Sequence, residues 1–212
     1  MEIFFLVVMG LTSVIGLTFI IERGFMLRWN RVIPPGVEAA VAAVRSAADR
    51  ESVRLACERH SSPLSNLLLT AEQNADLPKE ENEDALQSRA RQEVVKLERG
   101  LVVLEIVVGI APLMGLVGTI YGMMTLFSGL GANGMGDNTV LAAGISLILR
   151  FTMMGLLIAI PSLIAWSYYS KKVEMLAVEM ETVCSDYLRR IYHFPAAGQG
   201  RLVPPPLPAR VG

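Results

Sequence analysis

The chain has 212 residues, of which 52% are hydrophobic and only 18% are charged. About a quarter of the residues of a soluble protein are usually charged, so this composition excludes an ordinary soluble domain. A formal net charge of −1 argues against binding to nucleic acid, which requires a basic stripe. Cysteine and histidine are scattered without metal-ligand spacing, so we predict no metal site and no cofactor, and we interpret these residues as surface or packing positions: Cys57, Cys184, His60 and His193.

The first apolar block covers residues 3–21, which include no charged residue. A helix needs about 20 residues to cross the hydrocarbon core of a bilayer, so this block predicts a membrane span. It has neither a basic leader nor a small-residue cleavage site, which favours a retained anchor over a cleaved signal peptide. We assign residues 1–28 to this first transmembrane helix.

Two further apolar blocks lie at residues 101–128 and 139–169. They are separated by the glycine-rich segment 129–138, which we predict to be a short periplasmic loop. The third block ends at Tyr168 and Tyr169, followed by two lysines. Aromatic and basic residues are typical of the boundary between a membrane and the cytoplasm.

The basic residues predict the orientation, because they stay on the cytoplasmic side of short loops. Of the 19 lysines and arginines, all but Arg150 fall on one side of the three predicted spans. The other side has only Glu2 and Asp137 as charged residues. We therefore expect an inner-membrane protein with its N-terminus in the periplasm and its C-terminus in the cytoplasm.

The cytoplasmic segment 29–79 is alanine-rich and predicts short helices. One of them begins at Ser62, a suitable N-cap followed by proline at the first helical position. A break is expected at residues 76–78, which include Pro78.

The second and third spans continue as long helices with apolar stripes. Residues 80–128 and 139–194 are each predicted to form one helix that includes a span, and 195–212 are predicted to be disordered because they are rich in proline and glycine. The stripes either cover the chain's own cytoplasmic domain or pack between subunits. They consist of Leu86, Ala90, Val94, Leu97 and Leu101 in the first helix, and of Val173, Leu176, Met180, Val183, Tyr187 and Ile191 in the second. The fold class is an all-α membrane protein with three transmembrane helices.

The second span has a face of small residues that lets another helix approach closely, formed by Gly115, Gly118 and Gly122. We expect this face to be buried between subunits of a homo-oligomer. Pro112 and Pro161 are expected to kink the second and third spans. Thr119 lies beside the glycine face, where its hydroxyl either serves a function or bonds back to its own helix.

Arg150 is the one charged residue inside the third span. At 1.5 Å per residue it lies about 16 Å from Thr139, near the middle of a core about 30 Å thick, and level with Thr119 and Thr152. A charge there costs at least about 2.5 kcal/mol, so it needs a partner. No acidic residue of the chain is expected at that depth. The partner is another chain, a bound anion, or backbone carbonyls with water.

The residues of the spans closely resemble the ExbB/TolQ branch of the ExbB/TolQ/MotA proton-channel family. The resemblance is carried by the early IIERGFMLR, by LERGLVVLEIVVGIAPLMGLVGTIYGM and by LAAGISLILRFTMMGLLIAIPSLIAWSYY. It covers about two thirds of the chain, and three spans favour ExbB/TolQ over the four-span MotA branch.

The resemblance implies a homo-oligomeric ring, typically a pentamer, around a single-span ExbD/TolR-like partner with a membrane aspartate. It matches the family's proton-path threonines to Thr119 and Thr152, and its helix-breaking prolines to Pro112 and Pro161. The family usually has a glutamate early in span three, where this chain has Leu147. We assign Leu147 and Tyr121, together with Arg150, to the pore or to contact with a partner.

Our leading hypothesis is therefore a proton-channel subunit, not an enzyme, that energises transport or envelope work. The alternatives are a non-conducting membrane scaffold with the same fold and a motility stator. Because Leu147 replaces the family's glutamate, the transported ion is left open between H⁺ and Na⁺.

Overall fold

The computed structural model describes residues 2–45, 49–133 and 138–193. These residues form eight helices and no strand. The predicted disordered tail and the centre of the predicted loop lie outside the described residues. The helices are α1 (Glu2–Met26), α2 (Trp29–Val32), α3 (Pro35–Ala43), α4 (Arg50–Arg59), α5 (Pro63–Gln73), α6 (Lys79–Glu98), α7 (Leu101–Asn133) and α8 (Asn138–His193).

Three helices are long and apolar enough to cross a membrane, in α1 (Ile3–Met26), α7 (Leu101–Gly129) and α8 (from Leu141). This confirms the predicted all-α membrane fold. The membrane bundle, as we call α1, α7 and the first half of α8, is joined to a polar domain of α2–α6 and the second half of α8. The connection between the second and third spans is more helical than predicted, because α7 extends to Asn133 and thus includes half of the predicted loop at residues 129–138.

The junction between α6 and α7 differs from the prediction of one helix over residues 80–128. Arg99 and Gly100 interrupt the helix, although the backbone of Arg99 keeps right-handed helical angles. Gly100 is buried, and a Cβ there would overlap the guanidinium of Arg23 from the end of α1. Glycine at this position therefore makes room for an arginine that is itself only 9% exposed.

The apolar stripes of α6 and α8 meet in the core of the polar domain. Leu86 and Leu101 are buried, and Leu176, Met180 and Tyr187 of α8 are 0–1% exposed. The stripes therefore cover the chain's own domain, which was one of the two alternatives left open by the sequence. Both cysteines are free and buried in the same core, which confirms them as packing positions.

Polar contacts fix the helices of this domain at their ends. The Ser62 hydroxyl accepts a hydrogen bond from the Ser65 amide and caps α5, as predicted. Glu72 of α5 accepts three hydrogen bonds from the Arg50 guanidinium, at 2.7, 3.1 and 3.0 Å, and one from the Tyr187 hydroxyl at 2.9 Å. These bonds tie α4, α5 and α8 together, so α8 is held to the small helices by polar as well as apolar contacts.

Candidate functional site

The glycine face of α7 is packed directly against α8. A Cβ on Gly118 would lie 2.7 Å from Cγ of Phe151, and a Cβ on Gly122 would lie 2.8 Å from Cγ1 of Ile148. A Cβ on Gly115 would lie 3.0 Å from the carbonyl oxygen of Phe151. The close helix packing predicted for this face is therefore present. The neighbouring helix is the third span of the same chain, whereas the expected neighbour is a second subunit.

Gly155 of α8 completes this contact and was not identified from the sequence. A Cβ there would lie 2.7 Å from the backbone carbonyl oxygen of Ala111, which cannot move as a flexible side chain can. The positions of α8 that face α7 follow helical spacing, which could have revealed the face: Gly144, Ile148, Phe151 and Gly155. Glycines of both helices therefore lie at the contact between α7 and α8.

Both predicted helix-breaking prolines lie inside helices. Pro112 is within α7 and Pro161 within α8. Neither proline ends its helix, and the kinks stay predictions. Each leaves a carbonyl four residues earlier without its helical donor, at Val108 and Leu157 respectively.

Helix α1 covers one side of the α7–α8 pair. The Phe5 ring lies 5.7 Å from the Tyr121 ring and 6.3 Å from the Phe151 ring, measured between centroids. Leu147 packs against the same cluster, together with Met9. An apolar residue suits this position, because its neighbours from α1 are apolar. The structure thus brings Tyr121 and Leu147 together under α1.

The two threonines lie on the opposite side of the pair. On α7, Thr119 and Tyr121 are about 160° apart with the glycine face between them. On α8, Thr152 and Leu147 are about 140° apart, and the face that packs on α7 again lies between. Both threonines therefore border the groove between α7 and α8 on the side away from α1. We call this groove the threonine edge.

The hydroxyl groups of this edge have different environments. Thr119 is half-buried, and its hydroxyl donates to the carbonyl of Leu116 at 2.6 Å. This back-bond is one of the two alternatives that the sequence allows for Thr119. A hydroxyl that donates its proton still has lone pairs that accept a hydrogen bond. Thr152 is exposed in the single chain, so its hydroxyl is accessible to water or to a partner.

Arg150 does not belong to the threonine edge. It is two residues before Thr152 and so about 160° from it around α8. Its side chain is exposed and lines a shallow groove on the outer face of α8, formed with Ala142, Ile145, Ser146, Leu149 and Met153. Of the three residues assigned to the pore or a partner contact, Arg150 is exposed, while Tyr121 and Leu147 pack under α1.

The contacts of α1 give the level of Arg150 within the membrane bundle. Phe5, at the start of α1, is level with Phe151, so Arg150 lies beside the first turns of α1. The apolar residues 3–21 of α1 span about 28 Å, close to the thickness of the hydrocarbon core. Measured against this apolar stretch, Arg150 is level with its first residues and not with its middle. Helices α7 and α8 continue past this level, to Asn133 and from Asn138. The depth of Arg150 in the bilayer stays a prediction.

A protein-family model described as the MotA/TolQ/ExbB proton channel family matches residues 37–182, which is more than half of the chain. The chain belongs to this family. The matched region includes all of α7 and most of α8, and therefore both threonines of the edge. It begins after α1.

Named relatives support the ExbB/TolQ branch of the MotA/TolQ/ExbB family. A biopolymer transport protein ExbB of Helicobacter pylori is 37% identical over 81 residues, which are 38% of this chain and 56% of the relative. ExbB of Xanthomonas campestris is 30% identical over 102 residues, 48% of this chain and 40% of the relative. TolQ of the Tol-Pal system of Pseudomonas aeruginosa is 34% identical over 103 residues, 49% and 45% respectively. The chain spans about half the length of the curated relatives it matches.

One acidic residue of this ExbB/TolQ-like chain lies on the same side of α7 as Thr119 and was not given a role from the sequence. Glu105 is 14 residues before Thr119, so the two share one side of α7 to within about 40°. Its side chain is exposed, about 21 Å from Thr119 along the helix and toward the polar domain. Within the described residues, no group of three metal-ligand side chains could hold a metal ion.

Proposed function

We propose that this chain is a subunit of a proton-conducting inner-membrane complex that uses the proton gradient to energise transport or envelope work. The observation that carries this proposal is the threonine edge, where Thr119 and Thr152 border one groove between two membrane helices. The membership of the MotA/TolQ/ExbB family supports proton conduction by this part of the chain. Two relatives are named as biopolymer transport proteins and a third as part of the Tol-Pal system, which supports the transport or envelope role.

The proposed complex is a homo-oligomer, with five copies expected, around a single-span ExbD/TolR-like partner. Large apolar side chains are exposed along α1, α7 and α8, and lipid or other subunits must cover them. The partner supplies a membrane carboxylate, and the two threonine hydroxyls offer it hydrogen bonds as it takes up and releases a proton. The N-terminus lies in the periplasm and the polar domain in the cytoplasm.

The second candidate function is a non-conducting scaffold with the same fold. The back-bond of the Thr119 hydroxyl to Leu116 favours it, because a threonine that bonds its own helix can be a packing residue only. The two functions differ in whether the parent complex conducts protons, and the substitutions then show whether the hydroxyl groups are needed.

The test is proton uptake by vesicles that contain this chain and its partner. Thr119→Val and Thr152→Val keep the shape of the side chain and remove the hydroxyl, and each should abolish flux while the complex still assembles. Thr18→Val is the matched control, because Thr18 of α1 also bonds its own helix, at 2.7 Å to Val14, away from the edge. If the parent itself carries no flux above that of protein-free vesicles, the scaffold function is correct. If the parent conducts and both edge variants conduct equally well, the two threonines are packing residues and not part of the proton path. Replacing external Na⁺ by K⁺ without loss of flux identifies the ion as H⁺.

A further inference from the structure

A groove in the polar domain lies far from the threonine edge, between α6 and α8. Its volume is about 810 Å³. Its buried and half-buried lining is apolar and comes from Leu86, Ala90 and Val94 of α6 and from Ala177 and Leu188 of α8. The helices that form its walls are held by the core of the domain, so the groove is a preformed feature of this surface.

The exposed rim of the groove is acidic. Glu83 and Asp84 border it from α6, and Glu181 borders it from α8. Arg91 is the one basic residue among the side chains that line it. An apolar floor with an acidic rim is suited to a segment that is apolar along its length and basic at its ends.

The chain itself contains such a segment. Residues 201–210 read RLVPPPLPAR, with an arginine at each end, four prolines and no acidic residue. They lie outside the described residues. We propose that this segment binds in the groove between α6 and α8 of its own chain, with Arg201 and Arg210 facing the acidic rim.

Length and reach agree with this assignment. Along α8 the groove runs from Ala177 to Leu188, about 17 Å. Six residues of a polyproline II segment span about 19 Å, which corresponds to residues 202–207. α8 ends at His193, five residues beyond Leu188, and the seven residues 194–200 can extend over about 23 Å to lead back to the groove. Proline also lowers the entropy lost on binding, because its backbone is already restricted.

The first test measures amide hydrogen exchange of α6 and α8 in the full chain. Arg201→Glu combined with Arg210→Glu should speed exchange of the groove helices about fivefold, as expected when two exposed charge pairs are lost. Adding Asp84→Lys and Glu181→Lys should restore protection, because the charges are exchanged between the partners. Glu51→Lys on α4 is the control and should not restore it. Unchanged exchange in the arginine variant, or equal rescue by the control, would overturn the proposal.

The second test identifies the chain that supplies the segment. Val95→Cys at the groove and Leu207→Cys in the segment are joined by a short bifunctional maleimide, against the background of the two buried native thiols. A cross-link within one chain of the double variant supports the proposal. A cross-link that forms only when two single variants are mixed assigns the groove to a neighbouring copy and overturns it. Absence of any cross-link also overturns it.

Discussion

Arg150 and Thr152 are two residues apart on α8 but lie about 160° apart around it. Thr152 borders the groove between α7 and α8, whereas Arg150 lies on the outer face of α8 next to the side covered by α1. A partner helix that contacts the threonine edge of one chain therefore cannot contact Arg150 of the same chain at the same time. The charge and the two hydroxyls belong to separate surfaces.

This separation predicts the effect of removing the charge. Arg150→Leu should leave proton flux within about twofold of the parent, because an arginine about 160° around α8 from Thr152 makes no direct contact with a carboxylate at the threonine edge. Flux is measured in the same vesicles as for the threonine variants, with Thr152→Val as the inactive reference. A proton leak, or loss of the partner from the purified complex, would instead place Arg150 in the path or in the partner contact.

The contact between Gly155 and the backbone of Ala111 predicts a loss of stability on adding one methyl group. Gly155→Ala should lower the free energy of unfolding by about 1–3 kcal/mol, because the two helices must move apart. Gly109→Ala is the matched control, since a Cβ there has no atom within 4 Å and alanine favours the helix. Thermal unfolding in mild detergent measures both. Equal midpoints for the two variants would show that the bundle tolerates a wider spacing.

The buried thiol of Cys57 predicts a dependence of stability on pH. Burial raises the pKa of Cys57 to about 11, with smaller contributions from a Ser65 hydrogen bond that lowers it and from Glu72 that raises it. In the unfolded chain the pKa is about 8.5, so the thiol's contribution is complete below that pH and is lost as the pH rises through about 11.

Denaturant midpoints at pH 8 and pH 10.5 measure this effect. The parent should lose stability between the two values, by at most about 1.4 kcal/mol per pH unit from this thiol. Cys57→Ala starts from a lower stability but should lose less on the change of pH. If the variant and the parent lose the same amount, the thiol is already ionised or exposed at neutral pH.

The proposed orientation predicts which positions react from outside the cell. Asn133→Cys at the end of α7 should react with a membrane-impermeant maleimide in intact cells, because it lies on the side without basic residues. Ser185→Cys, exposed in the polar domain, should react only after lysis. The reverse pattern would invert the topology and place the polar domain in the periplasm.

The number of spans, the cap at Ser62 and the stripes of α6 and α8 could be predicted because each follows from local rules. Hydrophobic length, N-capping and helical spacing act on neighbours in the sequence, and the structure confirms all three. The break at Gly100 could not be predicted in this way. It depends on Arg23, which is distant in the sequence and comes from another helix.

The candidate site was predicted only in part for the same reason. The glycine face of α7 was visible in the sequence, but its partner depends on the register between two antiparallel helices. The level of Arg150 was counted from the start of its own span, whereas its surroundings depend on where Phe5 of α1 packs. Distances along one helix follow from helical geometry and can be counted in the sequence. The register and relative height of two helices depend on their side-chain packing and cannot.

The junction at Gly100 has a mechanical consequence. α8 is a single helix of 56 residues, about 84 Å long, that passes without interruption from the membrane bundle into the polar domain. Its neighbour is divided at Arg99 and Gly100, where the Arg23 side chain occupies the joint. We therefore expect a rotation of α8 about its axis to be transmitted directly to the polar domain, and a movement of α7 to be transmitted less directly to α6 because the two helices are separate.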